Sequence, residues 1–278
     1  MRAASAFAAF LLLSAAHGGE LKPETLSSWD DYIRTVDAHT QERLQRDHSF
    51  LWVDELAERG RDVRAGKIVV APAGVHTPQR VPSGLIHHWV GAAYFPGVKV
   101  NDIFPVVRDY GKYKNIYHPY VIDSKAIRQD GSLDQYSLTL MNKAVVVKVA
   151  LDSDCETSYI QVDARRWYSV TRSTRVQEIQ NFGQPSERKL PADQGSGYIW
   201  RLYSISRFEE RDGGVYFEVE AIVLSRDIPV ALRMIVDPIV RRVSKSSVET
   251  SLKQTQEAVA LSSDVASATS QGHAFRQQ

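Results

Sequence analysis

The residues best suited to chemistry in this chain are charged groups placed at strand spacing between positions 198 and 226. Glu218 and Glu220 alternate with Tyr216, Ile222 and Leu224, so all five point to one face of a strand. Arg201, Tyr203, Ile205 and Arg207 share one face of the preceding strand, with Trp200 on the other. Asp212-Gly213-Gly214 turns the chain between them, so Glu–Arg pairs across the hairpin are expected. On a solvated face such pairs are ordinary ladder contacts. Facing an interior, a carboxylate beside a guanidinium is a polar anchor for a ligand head group. Periodicity alone does not choose between these, because either face of a hairpin can look inward.

Other chemistries lack their residues. His87 and His88 are adjacent, and adjacent strand residues point to opposite faces, so they cannot share a metal ion. Histidines 39, 48, 76, 118 and 273 show no ligand spacing, and no metal is expected. There is no G-x-S-x-G elbow, and Gly195-Ser196-Gly197 sits in a loop with Pro191 and Asp193. No G-x-G-x-x-G or phosphate-binding loop occurs, so no cofactor is expected, and no residue is assigned a catalytic role. Cys155 is the only cysteine and reads as a small core residue.

Composition narrows the class further. A formal net charge of +1 argues against nucleic acid as the main partner, which needs a concentrated basic face. The chain opens with Met1-Arg2, an apolar run from Ala6 to Leu13, and Ala16-His17-Gly18. A charged start, a run too short to span a bilayer and a small-x-small end read as a signal peptide over residues 1–18. The expectation is an exported protein, periplasmic or secreted, with no stable membrane span; transient membrane contact stays open. Export with one thiol leaves no intramolecular disulfide, so packing must supply the stability.

The elements that position these residues follow from periodicity. From Trp29 to about Arg64 the chain is helical, with Trp29, Ile33, Val36, Thr40 and Leu44 on one stripe and Ser27 or Ser28 as the cap. Val70–Ser83 carries Pro72, Gly74, Pro78 and Pro82 and reads as a linker, closing an N-terminal segment over 19–83. Leu85–Phe95 is a strand. Asn101 then caps a short helix in which Ile103, Val106, Val107 and Tyr110 share a face, and Tyr113, Tyr117 and Tyr120 follow. From Val121 to Arg226 the chain reads as strands and hairpins, with turns at Asp130-Gly131, Asp152-Ser153-Asp154 and Asp212-Gly213-Gly214. Counting bent runs as one, about seven antiparallel strands result. Asp237-Pro238 then starts a helix of about six turns, with Ile239, Val240, Val243, Val248, Leu252 and Val259 on one stripe. Residues 261–278 are Ser-, Ala-, Gln- and Gly-rich and are expected to lack fixed structure.

This order resembles the START-like superfamily, which includes lipid-transfer START domains, polyketide cyclase/dehydrase-like proteins and a coenzyme-Q-binding branch. The likeness rests on LIHHWVGAAYFPGVKVNDIFPVVRDYGKYKNIY at the front and VYFEVEAIVLSRDIPVALRMIVDPIVRRVSKSSVETSLKQT at the back, within residues 84–260. It implies an α+β helix-grip fold, a curved antiparallel sheet on a long C-terminal helix with an N-terminal helical appendage. It also implies a cavity between sheet and helix for a hydrophobic small molecule such as a lipid, a quinone or a polyketide. The strand-to-helix junction lies near the pocket in such folds, which makes Arg226 and Arg233 candidate anchors beside Arg201 and Glu220. Trp167, Tyr168, Trp200 and Tyr203 are candidates for the pocket wall.

Three functions remain. The first is binding or carrying a hydrophobic molecule. The second is a cyclase, dehydratase or hydrolase using a buried Glu220 with Arg201 or a tyrosine. The third is an interaction protein with a filled interior.

Overall fold

The computed structural model describes residues 19–45, 48–73, 76–131, 133–144, 147–230 and 233–274. The expected signal peptide, residues 1–18, lies outside the described residues.

The strand Gly84–Pro96 (β3) is buried along its length except at Pro96. Its β-branched and aromatic residues suit a strand covered on both faces. It pairs antiparallel with Gly214–Arg226 (β9), which pairs with Arg201–Arg211 (β8). The sheet continues through Arg166–Gln180 (β7), Val147–Gln161 (β6), Leu133–Ala144 (β5) and Val121–Gln129 (β4). These are the seven strands read from the sequence, ordered β3-β9-β8-β7-β6-β5-β4. Register shifts at Val121/Asp123, Ala126/Arg128 and Asp154/Cys155 mark bulges, which bend and twist a sheet.

One face receives the helix Val100–Val107 (α3) and the long helix Arg233–Ala274 (α5). Between α3 and β4 lies a single turn, Tyr113–Ile116 (α4). Val248, Leu252 and Val259 of α5 pack with Trp89, Phe95, Ile103, Phe208 and Phe217. A Cβ at Gly91 would meet Leu252 Cδ1 and Val248 Cγ1 at 2.8 Å, so glycine allows the helix to lie close on β3. The other face is covered by Pro23–Arg43 (α1), the turn Trp52–Glu55 and Ala57–Arg64 (α2). Trp29, Val36, Trp52 and Val53 pack there on Ile86, Val90, Tyr168, Ile205 and Leu224. The molecule is an α+β helix-grip fold, an antiparallel sheet gripping a long C-terminal helix, whose outer sheet face carries an added helical layer.

Several expectations are corrected. The linker over 70–83 contributes Val69–Pro72 (β1) and Gln79–Val81 (β2), both paired with the free edge of β3. Prolines are tolerated on an edge strand, where one N–H side faces away from the sheet. Asp152-Ser153-Asp154 is not a turn but runs inside β6, because Lys189 and Arg175 donate to Asp152 and Asp154 at 2.6 and 2.7 Å. Neutralised in this way, turn-forming residues remain extended. Helix α1 starts at Pro23, with Lys22 rather than Ser27 or Ser28 as its cap, since proline suits the first helical position. It stops at Arg43 rather than near Arg64, and Phe50, Leu51, Trp52 and Val53 turn in to be buried. The short helix begins at Val100 rather than after Asn101, and Asp102 Oδ2 accepts the Lys99 N–H at 2.8 Å. Helix α5 starts at Arg233 with Pro238 inside it, its entry held by Arg233 on Asp227 at 2.9 Å. It continues to Ala274, through most of the segment expected to lack structure.

Candidate ligand-binding cavity

Between α5 and the gripped sheet face lies a cavity of about 340 Å³. Its floor is the row of small polar residues that β6, β7 and β8 present on that face. Ser169 stands opposite Ser206, Ser204 opposite Thr171, and Thr171 opposite Thr157. Large aliphatic residues at these positions would fill the space; Ser and Thr leave it open. Phe208 and Phe217, stacked with centroids 4.8 Å apart, also line it, as do Leu138, Leu140, Leu151 and Val219. Helix α5 supplies Ser247, Ser251, Gln254 and Thr255.

Six tyrosines complete the wall: Tyr113, Tyr117, Tyr120, Tyr136, Tyr159 and Tyr198. Four have protein partners. Tyr113 donates to Val107 O, Tyr117 bonds Thr255 Oγ1 at 3.0 Å, Tyr136 bonds Thr157 Oγ1 at 3.3 Å, and Tyr159 bonds the Tyr110 hydroxyl at 3.2 Å. Behind them Tyr110 donates to Asp134, which also receives a two-pronged contact from Arg108 at 2.8 and 2.9 Å. The Tyr120 and Tyr198 hydroxyls have no hydrogen-bond partner among the described residues. Burial pushes the Tyr159 and Tyr198 hydroxyls up to about 12, and holds Tyr113, Tyr117 and Tyr136 above their usual range. They stay protonated near neutrality and act as hydrogen-bonding groups. No Asp, Glu, Lys, Arg or His lines the cavity among the described residues.

The charged hairpin face looks the other way. Arg207 Nη1 donates to Glu220 Oε2 at 2.8 Å and Arg207 Nη2 to Thr40 Oγ1 at 3.1 Å. Glu220 Oε1 and the Tyr32 hydroxyl bracket His88 at 2.8 and 2.7 Å. Burial works to raise the Glu220 carboxyl, but His88 and Arg207 outweigh it and bring it down to about 2. Glu218 is fully buried, and this desolvation raises it to about 7 against the pull of Arg207 and the Trp52 and Val53 N–H groups. The face is therefore not a solvated ladder, and it does not line this cavity. It is the seam between α1 and the sheet.

The sequence-derived site residues separate accordingly. Glu220 belongs to that seam. Tyr203 donates to Asp37 of α1, and Arg201 contacts Asp193. Tyr168, Arg201 and Tyr203 border a second recess of about 730 Å³ between α1 and the outer sheet face, with Trp29, Ile33 and Asp37. Trp200 precedes β8, so strand alternation does not govern it, and it packs in the same cluster as Tyr203. Trp167 lies on the gripped face beside Phe104, ring centroids 5.0 Å apart, without lining the cavity. Arg226 is exposed, and Arg233 holds Asp227 and Ile228 O at the entry to α5. None of the eight lines the cavity. Glu220 and Arg201 take different partners and do not form an acid–base pair. The sequence signal for the actual lining was alternation of Ser and Thr with bulkier residues at 169, 171, 204 and 206, together with the tyrosines after α3.

His87 and His88 do point to opposite faces, His87 reaching Ser225 Oγ at 2.9 Å and His88 reaching Glu220 and Tyr32. No group of three His, Cys, Asp or Glu able to hold a metal occurs among the described residues. No described helix is long and apolar enough to cross a membrane.

No family model and no curated protein matches the sequence. Solved structures do. A STAR-related lipid transfer protein from Xanthomonas axonopodis aligns over 69% of this chain and 98% of its own, at 14% identity and a TM-score of 0.44. The Zhui aromatase/cyclase of Streptomyces aligns over 63% and 94%, at 8% identity and 0.41. Human STARD10 aligns over 78% and 84%, at 10% identity and 0.42. At such identity and overlap the likeness concerns the fold alone.

Proposed function

We propose that this protein binds one neutral, largely apolar small molecule in the cavity between its sheet and α5, and carries or sequesters it outside the cytoplasm. The observation behind the reading is the lining: tyrosine rings and aliphatic groups, with Ser, Thr and Tyr hydroxyls and no charged side chain among the described residues. An ionised ligand group would lose its hydration there without a counter-charge. An uncharged ligand bearing oxygen or hydroxyl groups would instead meet the unpartnered Tyr120 and Tyr198 hydroxyls and the serine floor. Such a wall, mostly apolar with a few placed polar groups, is what small-molecule sites use.

Native mass spectrometry with organic extraction of the protein, purified from its own exported compartment, tests the reading. The expected result is a neutral apolar molecule at near one per chain. Ser206→Phe, which fills the floor, should lose it without lowering the thermal midpoint. A wild-type protein that is empty and takes up no neutral apolar probe overturns the reading. The export component rests on the residue pattern of 1–18, and N-terminal sequencing of the cellular protein should place the first residue just after that segment.

A further inference from the structure

The chain entering α5 holds the two most exposed large apolar side chains among the described residues, Val230 at 73% and Met234 at 91%. Pro229 and Pro238 are exposed beside them. Helical spacing continues this face from Met234 through Pro238 and Arg241 to Lys245, about 16 Å along the axis. Arg241, Arg242 and Lys245 are exposed. The acids of the segment are already engaged, Asp227 by Arg80 and Arg233, and Asp237 by Arg80. Arg226, Arg241, Arg242 and Lys245 have no acidic partner among the described residues. The result is an exposed pair of apolar side chains with a margin of positive charge that has no acidic partner among the described residues.

Its position adds to this. Arg226 stands opposite Gly84 at the end of the sheet where β8 begins. At that same end Tyr120, Met141, Tyr198 and Ile199, all half-buried, line the cavity. We propose that this surface docks on an anionic lipid bilayer, with Val230 and Met234 entering the interface and Arg241, Arg242 and Lys245 meeting the headgroups. Few apolar groups ringed by charge of one sign suit a membrane surface better than a protein partner, whose footprint needs roughly 800 Å² with an apolar core. Long basic side chains also keep their heads in water while their stems cover apolar surface.

Co-sedimentation of the mature chain with phosphatidylcholine vesicles, with and without phosphatidylglycerol, tests the proposal. It is read without any cavity ligand, so its failure and that of the cavity reading are separable. Binding is expected on the phosphatidylglycerol vesicles and should weaken with added salt. Arg241→Ala and Arg242→Ala should each lower partitioning about fivefold. Val230→Asp with Met234→Asp should lower it by more than about tenfold. All four sites are exposed, and unchanged thermal melts would show that the variants fold. No partitioning onto anionic vesicles, equal partitioning onto both vesicle types, or partitioning unmoved by these substitutions overturns the proposal.

Discussion

Arg207 donates to Glu220 at 2.8 Å beneath helix α1, where the two side chains are 2% and 16% exposed. The pair lies on the outer face of the sheet and is closed off by the N-terminal segment, so its role is to join two layers. Thr40, Tyr32 and Asp37 of α1 all bond to this face, through Arg207, His88 and Tyr203.

Removing one partner should therefore cost stability and leave cavity binding intact. Arg207→Met leaves Glu218 and Glu220 without their cation, and breaking a buried pair costs about 3–5 kcal/mol. Urea unfolding of this variant should show that loss, while ligand occupancy of the folded fraction equals wild type. Loss of the ligand at unchanged stability would place the pair in binding instead.

Glu218 makes stability depend on pH. Its folded value of about 7 lies above that of an unfolded glutamate, about 4.3, so the folded state holds the proton more tightly. This stabilisation is complete below the unfolded value and is lost as pH rises toward about 7. His87 works oppositely, since burial lowers it to about 4 and its contribution is lost as pH falls from the usual histidine range. Comparing wild type with Glu218→Gln isolates the first effect. The difference between their unfolding free energies should change between pH 4 and 7 in favour of the glutamine variant as pH rises.

Gly91 sets how closely α5 can approach. Gly91→Ala places a methyl 2.8 Å from both Leu252 Cδ1 and Val248 Cγ1, and overpacking of this kind costs about 1–3 kcal/mol. Differential scanning calorimetry should show a lower midpoint. An unchanged midpoint would mean that the helix shifts without loss.

Cys155 should be inert in the folded protein. It is 4% exposed and burial pushes its thiol up to about 11, so little thiolate is present and little reagent reaches it. Reaction with a disulfide reagent should follow the unfolding rate, and denaturant should release one thiol per chain.

Strand and helix order was legible because it depends on local periodicity. The β-branched and aromatic run Leu85–Phe95 closed by Pro96-Gly97, the alternation in the hairpin after Arg201, and the stripe from Ile239 to Val259 are each local signals. The Asp130-Gly131 and Asp212-Gly213 turns were equally local. Expectations failed where distant residues overruled a local signal, as when Lys189 and Arg175 kept Asp152 and Asp154 in a strand. They failed likewise where the edge of β3 turned a proline-rich linker into strands.

The sequence by itself thus determined the α+β order, the cross-strand pairing of Glu and Arg, the opposed directions of His87 and His88, and the buried stripe of α1. Only the tertiary structure decided which sheet face α5 would grip, and with it which side chains line the cavity. A period of two divides the residues of a strand into two sets without saying which set faces in. That choice came from what covers each set. Helix α5 lies over Ser204, Ser206 and Val219, while α1 lies over Tyr203, Arg207 and Glu220. The charged row therefore became a seam and the small hydroxyl row became the cavity floor.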